Sequence, residues 1–376
     1  NAFGGLSGTR LELPGGTQVQ YKFNSDGNRS SMEDAEGSSS YSYDRYGRLA
    51  QFQRLGLPAI TYTYDVRERL ASYRIGAAFT VTYDYDYLGR LSKMVTPIGA
   101  VRYHYHSATG EKTRTLPNGI VTKWKRNAEG QINMISHESP VHGTLAQFDY
   151  KYRLDGLISS IVERGPKGAI TQKYRYDMAK RLVLVSSSNG PSFSYSYDAY
   201  GNCIRKQEEG HSPQENTYDW AGRIVSHNGS ACIHDSAGNL TSFGAQHPRY
   251  TFNDINLISA AAAPNGSVMY RYDGDGFLVR RTLNGEEIGF LNDPMVKIWR
   301  PLAIQKRKGQ LSYLVWDGAT PLFEISGESR QCFLGDHLGS TRIAVDLGSA
   351  GGSQYFDYTP YGRSIENSKL SGLVPG

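Results

Sequence analysis

The chain has 376 residues, 39% hydrophobic and 20% charged, and a formal net charge of +5 set by 41 basic and 36 acidic side chains. The two signs are interspersed, which argues against a nucleic-acid-binding arm, and no apolar run approaches the roughly 20 residues of a membrane-spanning helix. Cys203, Cys232 and Cys332 are too few and too scattered for a disulfide framework. Tyrosine (27) outnumbers phenylalanine (13) and 42 glycines punctuate the chain, a mixture suited to short strands joined by tight turns.

In chain order one element recurs. It is plainest in YSYDRYGRL (Tyr41 to Leu49), YDYDYLGRL (Tyr83 to Leu91) and YSYDAYGNC (Tyr195 to Cys203). With the residue before the Asp position as anchor, units stand at Phe23, Tyr43, Tyr64, Tyr85, Tyr105, Arg126, Tyr152, Tyr176, Tyr197, Tyr218, His234, Phe252 and Tyr272, a mean spacing near 21. A fixed period of this kind marks a repeat array, in which each unit needs only its neighbours to bury a core. The length therefore does not demand two globular domains.

Each unit reads as a hairpin. Tyr-x-Tyr places two rings on one face of a strand, because side chains alternate with period two. The Asp position holds Asp in eight units and Asn in three (Asn24, Asn127, Asn253), with His106 and Arg153 as exceptions. Three residues further on, nine units carry glycine. Asp-x-x-Gly suits a type I turn, whose carboxylate accepts backbone N–H groups and whose fourth residue takes positive φ. Asp44, Gly47, Asp86, Gly89, Asp198, Gly201, Asp219, Gly222, Asp273 and Gly276 are therefore read as structural turn residues. Glu68 and Lys180 replace the glycine, Gly110 is displaced by one position, and Asn256 tolerates positive φ.

Thirteen hairpins predict about 26 strands, and at roughly 4.8 Å per strand a strip on the order of 120 Å. Open sheets beyond about ten strands curl or split. The expected fold is all-β: a long strip of antiparallel hairpins coiled into a spiral or hollow β-shell, and an incomplete one. Helix signals are nearly absent; Ile258 to Ala263 is the one Ala-rich stretch and Pro264 follows it. The repeat fades after Arg280. Residues 1–285 read as the hairpin array and 286–376 as an irregular β segment, with Pro294, Trp299, Pro301, Trp316 and Pro321, that reaches CFLGDHLGSTRIAVD (Cys332 to Asp346) and YFDYTPYGRS (Tyr355 to Ser364). The chain opens on Asn1 without a signal peptide, and both ends read as cut points in a longer polypeptide whose exposed strand edges would favour self-association.

Sites that carry chemistry are sparse. Asp273-Gly274-Asp275-Gly276 has the look of a calcium loop but lacks the later bidentate Glu and falls on a repeat turn. Asp336, His337 and Ser340 suggest a hydrolase, yet no Gly-x-Ser-x-Gly elbow accompanies them. His104 and His106 lack further metal ligands, Cys203 and Cys332 lack a supporting His and acid, and the cluster Lys306, Arg307, Lys308 reads as a solvated turn. No cofactor or metal is expected. The feature with a functional rival is the tyrosine face, with Tyr41, Tyr43, Tyr83, Tyr85, Tyr195 and Tyr197 as its candidate binding residues. With Arg48, Arg69, Arg90, Arg181 and Arg223 these rings could stack a sugar or another chain. The structural alternative is a set of cross-strand ladders.

YSYDRYGRL, YDYDYLGRL, YRYDMAKRL and YSYDAYGNC resemble the YD repeats of Rhs proteins, and GDHLGSTR followed by YTPYGR resembles the start of the Rhs core-associated region. The resemblance covers nearly the whole chain in the family's order and extends to the C subunits of insecticidal toxin complexes and to teneurins. It implies a spiralling β-shell that, in bacterial members, holds a toxic C-terminal segment. The aspartyl self-cleavage site and plug of those proteins would lie beyond the final LSGLVPG. The expectation is thus a secreted or cell-surface bacterial shell segment, without enzymatic activity, whose partner is a C-terminal effector of the same polypeptide or its operon. Secretion-system or cell-surface components are further candidate partners. A teneurin-like adhesion or carbohydrate-binding module is the alternative.

Overall fold

The computed structural model describes residues 8–12, 18–166, 168–244, 248–264, 266–306, 309–348 and 352–365. These residues form 35 strands and no α-helix. From Gln18–Phe23 to Leu278–Leu283 there are 27 strands, close to the two per period that the spacing predicts. The Ala-rich stretch is itself a strand, Ile258–Ala263, paired with Arg249–Phe252 on one side and Gly266–Tyr272 on the other. Two flanking ladders outweigh the weak helix preference of six residues, because a helix that short cannot meet its nucleation cost. The Lys306 cluster lies partly outside the described residues, and the LSGLVPG terminus wholly outside them.

Strands pair antiparallel with their neighbours in sequence, for example Gly37–Tyr43 with Leu49–Arg54 and Phe79–Tyr85 with Leu91–Thr96. In each clear repeat the register shifts by one residue beside the anchor tyrosine. Tyr43 faces Leu49 while Ser42 faces Gln51, which leaves Ala50 as the extra residue of a bulge. The same shift occurs at Tyr64, Tyr85, Tyr176 and Tyr197. A bulge bends its strand and adds twist, so the sequence period also sets a periodic bend.

The chain divides into two compact units, residues 1–99 with 233–329 and residues 100–232 with 330–376. In the first, Ile60, Tyr62, Ile75, Phe79, Val81 and Met94 are buried together with Leu291, Ala303, Ile304, Leu314, Val315 and Phe323. Phe79 stacks on Tyr313 with centroids 4.3 Å apart. In the second, Val101, Ile135, Phe148, Tyr150, Phe193 and Tyr195 are buried, as are Cys332, Phe333, Leu334, Ile343 and Phe356. Each unit thus draws its core from an earlier and a later stretch of sequence. The alternation in Ile60–Tyr64, buried at Ile60 and Tyr62 and open at Thr63, is the period-two pattern of a sheet with one covered face.

Candidate functional site

The hairpin turn is the most repeated structure in the molecule. At Asp44 the carboxylate accepts the N–H groups of Tyr46 (2.9 Å) and Arg48 (3.0 Å) with one oxygen and Arg48 Nε (2.7 Å) with the other. The loop closes through Asp44 N–H to Arg48 O and Gly47 N–H to Asp44 O, at 2.9 and 3.0 Å. Asp86 and Asp219 repeat this with Arg90 and Arg223, and Asp198 does so with Asn202. Gly47, Gly89, Gly201, Gly222 and Gly276 all have φ between 77° and 95°. Glu68 (65°), Lys180 (63°) and Asn256 (60°) hold the same conformation without being glycine. Hydrogen bonds from Arg69 hold the Asp65 carboxyl below its ordinary value, and the backbone N–H and guanidinium of Arg181 do the same for Asp177.

Three of the turn arginines also reach forward. The Arg48 guanidinium lies 4.4 Å from the ring centre of Tyr64, Arg69 4.3 Å from Tyr85, and Arg181 4.8 Å from Tyr197. Each of those tyrosines closes a second link that sequence reasoning did not find. The hydroxyls of Tyr43, Tyr64, Tyr85 and Tyr197 donate to the carbonyls of Arg29, Leu49, Leu70 and Leu182 in the preceding hairpin, each at 2.8 Å. Tyr152, Tyr176, Tyr218 and Tyr272 do the same to Ile132, Ile158, Cys203 and Ile258. The signal was present in the preference for tyrosine over phenylalanine at the anchors, since a hydroxyl on a covered ring needs a partner.

The first tyrosine of the pair is buried at Tyr62, Tyr103 and Tyr150. Tyr195 is buried, and Tyr41 packs on Phe52, directly opposite it in register, with centroids 5.2 Å apart. Burial raises the Tyr41 hydroxyl to about 12 against the opposing effect of Arg29, and it raises Tyr83 further. An open cleft of about 590 Å³ does border Tyr41 and Tyr43, with Arg29, Asp275, Met295 and Lys297 on its walls.

Asp273 departs from the other turns. Phe277 stands where Arg48 or Arg90 stands elsewhere, so the carboxylate accepts only the N–H groups of Asp275 and Phe277, at 3.0 and 2.9 Å. Burial, with Asp275 and Asp34 nearby, pushes it up to about 6. The tip itself is seated: Tyr21 Oη donates to Gly274 O at 2.8 Å, Gly274 N–H donates to Asp34 at 2.9 Å, and Asp275 pairs with Arg29. A Cβ on Gly274 would lie 2.4 Å from Val19 Cγ1. The carboxylates of this loop are thus engaged by N–H groups and a guanidinium.

Asp336 is another turn aspartate. It accepts the N–H groups of Leu338 (3.0 Å) and Ser340 (3.1 Å), and Gly339 has φ of 81°. The His337 ring lies 4.5 Å from Tyr150, and its backbone N–H donates to the Tyr150 hydroxyl at 3.3 Å. No hydrogen bond joins the His337 ring to Ser340 or Asp336 among the described residues. Arg342, beside Asp336 at 3.8 Å, is held by Glu163 and Asp357 at 2.7 and 3.0 Å. Cys332 is buried and its thiol is raised to about 12 by burial, which leaves it protonated, whereas Cys203 and Cys232 are half-buried. Among the described residues no group of three or more His, Cys, Asp or Glu side chains is placed to hold a metal ion, and no helix is long and apolar enough to cross a membrane.

Known proteins share this fold. None of the curated protein sequences is significantly similar to the chain. Among solved structures, the crystal structure of TcdB2-TccC3 without its hypervariable C-terminal region is similar with a TM-score of 0.55 at 13% identity, over 92% of this chain and 24% of that one. The crystal structures of TcdB2-TccC3-Cdc42 and TcdB2-TccC3-TEV give TM-scores of 0.54 and 0.53, each at 12% identity over 94% of this chain and 24% of theirs. At such identities the likeness is one of fold, and the chain spans about a quarter of the length of these relatives. The sequence profile described as the teneurin YD-shell matches residues 8–139 and 126–372. With that match over nearly its whole length, on top of the repeated turn and its tyrosine link, the chain belongs to the teneurin YD-shell family.

Proposed function

We propose that this segment is a wall of a YD-repeat shell that encloses, or scaffolds, a C-terminal effector of the same polypeptide or its operon in a secreted bacterial protein of Rhs type. Residues 1–285 supply the hairpin array and 286–376 lead toward the core-associated region. The observation that carries this reading is that the repeated side chains are consumed by structure. Turn aspartates bind their own loops, the arginines cover the next tyrosine, and the tyrosine hydroxyls bond the preceding hairpin. The hypervariable C-terminal region in the name of one structural relative supports a variable cargo. In this reading no residue of the segment performs chemistry.

The test is protease protection in the full polypeptide that carries the segment. The C-terminal part should survive a protease dose that degrades the same part expressed alone; equal degradation rates would contradict enclosure. The cleft beside Tyr41 and Tyr43 favours one second reading, a carbohydrate-binding or adhesion module. A glycan array distinguishes the two: saturable binding that is lost in Lys297→Ala, a change on the cleft wall outside the repeat, would replace the shell reading with the module.

A further inference from the structure

The turn at Asp273 breaks a rule that the rest of the repeat keeps. In every other Asp unit, Arg or Asn stands four residues on and its side chain hydrogen-bonds the carboxylate. Where an apolar residue, Leu257, holds that position, the turn residue is the uncharged Asn253. Among the repeat units Asp273 alone combines a carboxylate with an apolar follower, Phe277.

The tip of this hairpin is seated among charges that are already matched. Asp34, whose side chain is 3% exposed, pairs with Arg54 at 3.0 Å and accepts the Gly274 N–H at 2.9 Å. Arg29 pairs with Asp275. The next acidic group on the early hairpin, Glu36, is held by Arg271 and Arg280 at 3.1 and 3.4 Å. Tyr21 and Tyr41 also face Asp273, with hydroxyls raised by burial and so uncharged near neutral pH. Asp34, Asp273 and Asp275 thus meet two guanidiniums, and Asp273 is the carboxylate left without one among the described residues. It accepts only the backbone N–H groups of Asp275 and Phe277. A covered carboxylate beside two like charges favours its protonated form. Burial first, then Asp275 and Asp34, raise it to about 6 against the lowering effect of the Phe277 N–H and Arg54.

Seating is what brings these charges together. Beneath the tip lie Val19 and Met32, 2% and 1% exposed, and a Cβ on Gly274 would lie 3.1 Å from Met32 Sδ as well as against Val19. A seat this closely packed opens as a unit, because packed contacts do not stretch by degrees. Lifting the tip from Gln18–Phe23 and Arg29–Asp34 parts Asp273 from Asp34 and returns it to water. The ionised form therefore favours the lifted tip and the protonated form the seated one. We propose that the 273–276 turn is a proton-operated clasp, which grips the 18–34 hairpin while Asp273 is protonated and lets go when Asp273 ionises. The folded value is the raised one, so the grip is full below the ~3.9 of a free aspartate and is lost as pH rises through about 6. The clasp would act within its own compact unit whatever the segment encloses.

Hydrogen exchange of the full chain, corrected for the intrinsic rate and read by mass spectrometry on peptides covering 18–34, 60–64 and 270–278, tests this. The opening constant at Gly274 and its neighbours should rise roughly tenfold from pH 5 to pH 8 on the difference between the two values, through a local opening that leaves Ile60–Tyr64 protected. Asp273→Asn removes the charge, and Phe277→Arg gives it the partner that Arg48 is to Asp44. Each should flatten the rise, and either one alone is sufficient if the other fails to fold. An opening constant in the parent that is the same at both pH values, a rise that persists in the folded variants, or exchange at Gly274 only when Ile60–Tyr64 exchanges too would overturn the clasp.

Discussion

The turn aspartates share one backbone geometry, and their different electrostatics follow from what stands four residues later. Where Arg or Asn follows, the carboxylate is bonded on both oxygens; at Asp273 the follower is Phe277 and the group is buried. Its folded value of about 6 lies above the ~3.9 of an unfolded aspartate, so the folded state binds the extra proton and stability falls as pH rises from ~4 through ~6. Near neutral pH the charge costs about 2–3 kcal/mol on that difference. Asp273→Asn keeps the accepting oxygen, as Asn253 shows by taking the N–H groups of Ile255 and Leu257. Urea denaturation should find the variant more stable by about 1–3 kcal/mol near neutral pH, with the gap closing below about pH 5; a gap independent of pH would contradict this. At the neighbouring residue, Gly274→Ala should destabilise by about 1–3 kcal/mol through overpacking against the stiff Val19 side chain, and an unchanged midpoint would mean that the tip is not seated. The Asp-x-x-Gly spacing was enough to read the turn role of these residues. The unusual charge state was not legible, because it depends on Tyr21, Val19 and Asp34, some 240 residues away in sequence.

Hairpins are coupled to one another by more than the strand ladder. The tyrosine hydroxyl to carbonyl bond spans from one hairpin to the one before it, and the arginine of that earlier turn covers the same ring. Tyr85→Phe removes only the hydroxyl and leaves the Leu70 carbonyl part-buried; it should cost about 0.5–1.5 kcal/mol in a denaturation series, while a neutral result would show that water replaces the bond at no cost. Lys180, exposed and at φ of 63°, is the reverse case. A left-handed non-glycine residue carries roughly 1–2 kcal/mol of strain, offset in part by the entropy that glycine loses on folding. Lys180→Gly should therefore stabilise by up to about 1 kcal/mol, and a loss of stability would mean that the side chain is used. The hairpin, its turn and the placing of both tyrosines on one strand face were legible from spacing alone, since all three depend on residues within one period; whether that face was covered or open to a ligand was not. The links between hairpins were hidden, because a period locates Tyr64 and Leu49 but does not say that one bonds the other.

On the scale of the whole molecule, each unit closes its core by bringing late strands onto early ones. Tyr62 reaches Asp293 across 231 residues, and Arg342 reaches Glu163 across 179. No local pattern encodes such pairings, so the sequence pointed to a strip that must bury one face without saying which strands would cover it. The stretch after residue 285, irregular as text, contains Pro301–Gln305, in which four consecutive residues are buried. The tyrosine repeat builds a wall and is spent inside it, and spectrophotometric titration of the tyrosines in the intact chain, with near-ultraviolet circular dichroism followed in parallel, separates this from a solvent-facing role. A distinct class including Tyr62, Tyr73, Tyr83 and Tyr195, all raised by burial, should ionise only together with loss of the dichroism signal. A single reversible titration of all the tyrosines near pH ~10, the value of the free side chain, with the folded signal intact, would contradict it.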